Sequence, residues 1–218
     1  MPGVAGILFA LAQLLVSSPA PPAAPVANPA DVFQFPLPTW PPHCLGFGSQ
    51  WRYCDGTALR SCASGAVWLH TGVDIASGIQ PIRAAGDGVI VGYMIDPTFH
   101  GGVLIRHRMT TGVVITQYWH VWLRSGFHVG SVVQRGQVIA DVASMGSRTH
   151  FHFAVFKGDM ESHAWNGALP PTPCSGFPAF PYKFVNPTVF VQAHLPTTPA
   201  APAALAAPAV RHEPGTTM

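Results

Sequence analysis

Histidine outnumbers the acidic residues of this 218-residue chain, eleven against nine, and several of the eleven stand at spacings that chemistry can use. His150 and His152 flank Phe151. On a strand, residues i and i+2 share a face with Cα atoms about 6.5 Å apart. Both imidazoles can then reach one point, or one can bind a metal while the other faces what the metal binds. His70 and Asp74 are separated by Thr71, Gly72 and Val73. On a straight strand they would stand about 13 Å apart, too far to share a small ion. Gly72 and the following Ile75-Ala76-Ser77-Gly78 argue against a helix, so the pair converges only if the chain bends at Thr71-Gly72, a bend that glycine allows. Two neutral imidazoles and one carboxylate are competent zinc ligands and leave a fourth position open for water, which is the catalytic arrangement. His120, within Tyr118-Trp119-His120-Val121, is the third element. Taken singly, each has an ordinary alternative: hydrogen-bonded strand histidines, a capping aspartate beside a surface histidine, and a satisfied core histidine.

The elements that must carry these residues read as strands. From Ile82 onward, short β-branched and aromatic runs are separated by glycine-rich turns, the pattern of an antiparallel sheet. Strands are predicted over 88–95, 102–107, 112–121, 131–133, 137–142 and 150–156. In 113–121 one face carries Val113, Ile115, Gln117 and Trp119, and the other Val114, Thr116, Tyr118 and His120. In 150–156 Phe151, Phe153 and Val155 form an apolar face, while His150, His152 and Ala154 point to the opposite, wetter one. Glycine and proline total 22 and 23 residues, which favours turns and strands over long helices. The expected fold is therefore all-β, a small antiparallel β-sheet domain with Pro/Gly-rich loops. Charged residues are 9% of the chain and the net charge is +2 with only two lysines, so no basic stripe exists to track phosphates and nucleic acid is excluded as a partner class.

The ends differ in kind from the middle. Residues 4–16 are an apolar run too short for the roughly 20 residues of a membrane span, and small residues and prolines follow to residue 30. Segment 1–30 reads as a signal-like export segment with a Pro/Ala linker and no stable membrane span. After a short lead-in over 28–35, the folded domain is expected at 36–192, with a disordered Pro/Ala-rich tail at 195–218. Cys44, Cys54, Cys62 and Cys174 follow the export-like segment, and an even number there favours two disulfides among three connectivities. We favour Cys54 with Cys62, around Asp55-Gly56, and Cys44 with Cys174 as a staple between the lead and the C-terminal loop. No Cys-x-x-Cys pair supports a zinc knuckle.

In order and context, His70-x-x-x-Asp74, Pro81-Ile82-Arg83-Ala84-Ala85-Gly86-Asp87-Gly88-Val89-Ile90, Gly102-Val103-Leu104-Ile105-Arg106-His107, Tyr118-Trp119-His120, Val132 to Ala140 and His150-Phe151-His152-Phe153 resemble the lysostaphin-type, LytM-like zinc endopeptidases of bacterial cell walls. The resemblance covers a motif core at 70–156. It implies a LytM-like β fold of barrel-sandwich type and one Zn2+ ion held by His70, Asp74 and His152. It also implies His120 and His150 as catalytic histidines and a peptide bond of peptidoglycan as substrate, cut by a secreted or cell-envelope hydrolase. His107 falls where the family often has histidine, and we assign it a packing or hydrogen-bonding role. Two departures concern the walls of the groove. The loop 144–149 before His150 is short and brings in Arg148, and 157–183, with Cys174, lies outside the family's motifs. Trp119 is read as core, and Trp68 is open between core and groove. Two alternatives remain: a catalytically silent wall-binding or regulatory protein on the same fold, and an unrelated cupin-like barrel using His-x-His, in which His70 and Asp74 need not approach His152.

Overall fold

The computed structural model describes residues 31–57, 62, 65–97, 100–160 and 167–196. The export-like segment 1–30 and, beyond its first two residues, the tail 195–218 lie outside the described residues. The strands are Leu69–His70 (β1), Gly72–Ile75 (β2), Pro81–Arg83 (β3), Gly88–Asp96 (β4), His100–Met109 (β5), Gly112–Trp119 (β6), Val121–Leu123 (β7), Val132–Val133 (β8), Val138–Val142 (β9), Phe151–Lys157 (β10), Ala168–Leu169 (β11) and Phe184–Val185 (β12), and a short helix, α1, covers Pro187–Ala193. The all-β expectation is borne out, and every strand pairing among the described residues is antiparallel.

The main sheet runs β12-β10-β6-β5-β4-β8, with β2 also paired to β10. A three-stranded sheet, β3-β9-β7, contributes Ile82, Ile139, Ala140, Val142 and Val121 to a core shared with Val103, Ile105, Tyr118, Phe151, Phe153 and Val155 of the main sheet. Burying an aromatic or branched side chain of this kind stabilises by about 1.5–3 kcal/mol. Packing reaches further toward the N-terminus than the sequence suggested. Phe33, expected in the lead-in, is fully buried against His107, Phe190 and His194, and its N–H donates to His194 O at 2.7 Å. Asn186 caps α1 by accepting from the N–H groups of Thr188 and Val189, with Pro187 next in the first helical position.

The opposite face of the main sheet is not wet. Leu104, Ile115, Ala154, Phe156 and, on the edge strand β12, Phe184 lie on it beneath Leu169, Phe47, Phe177 and Phe180, which come from segments flanking the sheet on both sides in sequence. His150 and His152 are accordingly buried, against the expectation of a wetter face. Strand β10 sits between β6 and β2/β12, so both of its edges are paired, and core clusters on the two sides of the sheet cover both of its faces.

The disulfides also differ from expectation: Cys44 pairs with Cys54, and Cys62 with Cys174. The turn at Asp55-Gly56 closes by itself, through Tyr53 N–H to Thr57 O and Gly56 N–H to Tyr53 O, so no Cys54–Cys62 bridge is needed there. Segment 44–51 lies along 68–74 and returns Cys54 to within 5.4 Å of Cys44 at Cα. Cys62 lies beside Trp68, whose ring packs on Phe177 near Cys174.

Candidate metal centre and flanking histidines

The chain breaks at Thr71 between β1 and β2. His70 faces Ala168 of β11, whereas Asp74 sits opposite His152 of β10. That bend brings His70 Nε2 to 3.2 Å from Asp74 Oδ1, with His152 Nδ1 at 3.0 Å from His70 Nε2 and 2.8 Å from Asp74 Oδ1. Gly72 serves the bend through space, not through a left-handed φ. A Cβ there would collide with Phe153 O and come within 2.7 Å of the His152 imidazole.

The triangle has the size a tetrahedral zinc site asks for, since ligands about 2.0–2.1 Å from a central ion stand about 3.3 Å apart. Its hydrogen inventory points the same way. His70 Nδ1–H donates to Gly46 O at 3.1 Å, which leaves the lone pair on Nε2 facing inward, and the Asp74 carboxylate can only accept. One hydrogen on His152 Nδ1 is therefore all that joins three electron-rich atoms, and His152 Nε2 is buried without a partner. These three residues form the one metal-competent group of histidine, cysteine and acidic side chains found among the described residues. Burial would push the Asp74 carboxyl up, but the electrostatic influence of the neighbouring His70 and the hydrogen bond from His152 outweigh it and hold the group well below the usual carboxylate range. Burial lowers the basicity of His152 by more than the Asp74 hydrogen bond and charge restore. Both effects keep the groups in ligating form, an anionic carboxylate and a neutral imidazole.

His150 stands at the edge of this triangle. Its Nδ1–H donates to Arg148 O at 2.7 Å and its Nε2 lies 3.7 Å from Asp74 Oδ2. The His120 ring is 4.4 Å from that of His150 and 6.5 Å from that of His152. Strict alternation along 112–121 would have put His120 on the Tyr118 face, in the core, because Trp119 is the residue opposite His152. The strand instead ends at Trp119, and His120 adopts a left-handed backbone with φ 62°. A non-glycine residue in that region costs about 1–2 kcal/mol, and here it turns the imidazole out of the core toward His150. Trp119 itself is buried, its indole packed where a Cβ on Gly102 would stand.

Other residues singled out from sequence fall into place. His107 is wholly buried, and its Nδ1–H donates to Asp87 O at 2.9 Å while its Nε2 accepts from the Thr116 hydroxyl at 2.7 Å. Thr116 meets the Tyr118 hydroxyl, which accepts from Ala85 N–H. This chain is closed and structural. Trp68 is mostly buried and donates from Nε1 to Cys62 Sγ. Arg148, in a 3-10 turn at Gly146–Arg148, sits over the Tyr53 ring and pairs with Asp55 at 2.8 Å. It thereby joins the loop that carries His150 to the loop that follows Cys54. Sequence reasoning missed Gly46, whose carbonyl anchors His70, because no motif marks a backbone acceptor.

Residues 68–164 match the model of peptidase family M23. No curated protein matches the chain. Among solved structures the chain is similar to a zinc containing peptidase from Vibrio cholerae (22% identity, 66% of this chain and 40% of that one, TM-score 0.46). It is similar also to cbpa from L. salivarius REN (16%, 76% and 97%, 0.49) and to the catalytic domain of the antimicrobial peptidase lysostaphin from Staphylococcus simulans (24%, 59% and 86%, 0.41). The chain thus spans two fifths of the Vibrio cholerae structure's length.

Proposed function

We propose, from the match of residues 68–164 to the model of peptidase family M23, that the chain is an exported zinc metallo-endopeptidase that hydrolyses peptide bonds of bacterial peptidoglycan. The observation that carries this reading is the meeting of His70 Nε2, Asp74 Oδ1 and His152 Nδ1 within 3.2 Å of one another, with two further imidazoles alongside. Two disulfides support an oxidising compartment outside the cytoplasm. No helix among the described residues is long and apolar enough to cross a membrane.

His70, Asp74 and His152 would hold the ion. Bound zinc supplies Lewis acidity, polarising the scissile carbonyl and bringing the pKa of a coordinated water to about 7. The remaining chemistry falls to the chain's own groups. His150, with its hydrogen on Nδ1 held by Arg148 O, offers the Nε2 lone pair as acceptor for the proton of the attacking water. The Asp74 carboxylate, 3.7 Å away, stabilises the imidazolium that results, and the same proton passes to the departing amine as the C–N bond breaks. His120 donates a hydrogen bond to the oxyanion that forms at the carbonyl carbon. Burial of this face makes both contributions stronger than they would be in water.

Purified peptidoglycans of different cross-bridge type, digested with the full chain and analysed by mass, test the reading and name the bond. Chelator should abolish fragment release. Asp74→Ala and His152→Ala should lose bound zinc, whereas His120→Ala should keep zinc and lose about 10²–10³-fold in rate, as removal of a charge-stabilising donor does. Release of fragments at an unchanged rate in chelator would sink the proposal.

A further inference from the structure

Residues 44–54 lie outside the segment that matches the family, yet they grip both ends of the His70–Asp74 pair. At one end Cys44 N–H donates to Asp74 O at 2.9 Å and Asp74 N–H donates to Leu45 O at 2.8 Å. At the other end Gly48 N–H donates to His70 O and His70 N–H donates to Ser49 O, both at 2.8 Å. Between these anchors, Gly46, Phe47 and Gly48 run beside Thr71, Gly72 and Val73, and the left-handed Gly48, φ 79°, lets the segment follow the bend. The side chain of His70 is held by the same segment, since its Nδ1–H ends on Gly46 O at 3.1 Å. The Cys44–Cys54 disulfide closes the segment into a ring, and Cys44 Sγ lies 3.5 Å from Asp74 O.

We propose that segment 44–54, closed by its disulfide, is a positioning strap that fixes His70 as the Nδ1–H tautomer and holds it at ligating distance from Asp74, so that affinity for the divalent ion depends on this disulfide. The inference rests on the metal site proposed above. The physical reason is tautomeric. An imidazole without the Gly46 acceptor is free to carry its hydrogen on Nε2, where it blocks ligation. The partner of a ligand's other nitrogen is what sets this choice, and removing such partners typically costs 10–100-fold in metal affinity.

The test compares the full chain with the Cys44→Ser/Cys54→Ser variant by zinc competition against a chromophoric chelator, and by 15N shifts of the His70 imidazole in metal-free protein. The expected result is 10–100-fold weaker zinc binding together with a His70 signal moved from a single Nδ1–H tautomer toward a mixture. A Cys62→Ser/Cys174→Ser variant, which loses the other disulfide, should keep both the affinity and the tautomer. Gly48→Ala strains the strap with the disulfide intact, and it should shift zinc binding in the same direction. Wild-type affinity and a single His70 tautomer in the folded Cys44→Ser/Cys54→Ser protein, or in Gly48→Ala should that protein not fold, would overturn the proposal. Failure of the wild-type chain to take up zinc would instead remove the peptidase reading, and the metal-free tautomer measurement would still decide whether the strap holds His70.

Discussion

Replacing His120 by alanine and by glycine separates what its side chain does from what its backbone costs. At φ 62° any L-residue bears about 1–2 kcal/mol of left-handed strain that glycine escapes, while glycine loses about 0.5–1 kcal/mol in chain entropy relative to alanine. The difference leaves His120→Gly more stable than His120→Ala by up to about 1.5 kcal/mol. At an ordinary strand position the order is the reverse. Both variants remove the imidazole beside His150, so both should lose about 10²–10³-fold in the rate of fragment release while still binding zinc. Urea unfolding of the two variants in the presence of chelator measures the stability term without contribution from metal, and thermal unfolding should place their midpoints about 2–4 °C apart for each kcal/mol. If alanine proves the more stable, the backbone at residue 120 is not left-handed, and the account of how this imidazole leaves the core is wrong. If either variant keeps full activity, His120 has no part in the chemistry.

Acid should destabilise the fold through His107, whose pKa burial pushes from 6.5 down to about 4. The unfolded chain takes up this proton below about pH 6.5 and the folded chain does not, so stability falls as pH drops from about 6.5 to about 4 and the effect then levels off. The interval is worth roughly 3 kcal/mol. Asp87 faces the ring, and His194 meets the neighbouring Phe33 edge-on and stacks on Phe190. A His107→Gln variant with the same pH slope as wild type in urea unfolding would show that His107 is not the source. Gly72→Ala should cost about 1–3 kcal/mol by overpacking and weaken zinc binding, because the new Cβ meets the His152 imidazole; unchanged zinc affinity in the folded variant would show that the ring has room to move.

The long strands were readable because their side chains alternate over five to ten residues: β4, β5, β6, β9 and β10 fall close to the predicted ranges. Strands β1, β3, β7, β11 and β12 span only two or three residues, too few for any period to show. They are held by partners distant in the chain, as His70 is by Ala168. The same limit explains the disulfides. Proximity in sequence suggested Cys54 with Cys62, but the pairing is decided by the path of segment 44–51 along 68–74, which leaves no periodic trace. Alternation also misplaced His120, because a single left-handed residue reverses a face assignment that is otherwise sound for seven residues of β6. Spacing alone pairs His70 with Asp74 and His150 with His152, and the family resemblance joins His70, Asp74 and His152 as one group. What bends the chain between them, a glycine lodged against His152 and a strap from an earlier segment, is tertiary.

The segment that matches the peptidase family is not a complete folding unit. Phe33, Leu37, Leu169, Phe184, Phe190 and Val191 lie outside 68–164 and are all buried. At roughly 1.5–3 kcal/mol each, their burial is on the order of the whole stability of an ordinary domain, about 5–15 kcal/mol. Leu169 covers the face of the main sheet that also presents His152, Phe184 extends that face on β12, and the loop at 46–49 closes over it. Removing that cover would expose the Asp74 carboxylate and its neighbouring imidazoles to water, weakening the electrostatic interactions on which the proposed ligation and proton transfer depend. A division of labour follows from the packing. The motif-bearing strands bring the reacting atoms together, and the flanking segments keep them dry and fix the His70 tautomer. Because those same segments lie beside the histidines, variation in 44–54 and 167–184 would, on the proposed peptidase reading, alter substrate preference while leaving His70, Asp74 and His152 in place.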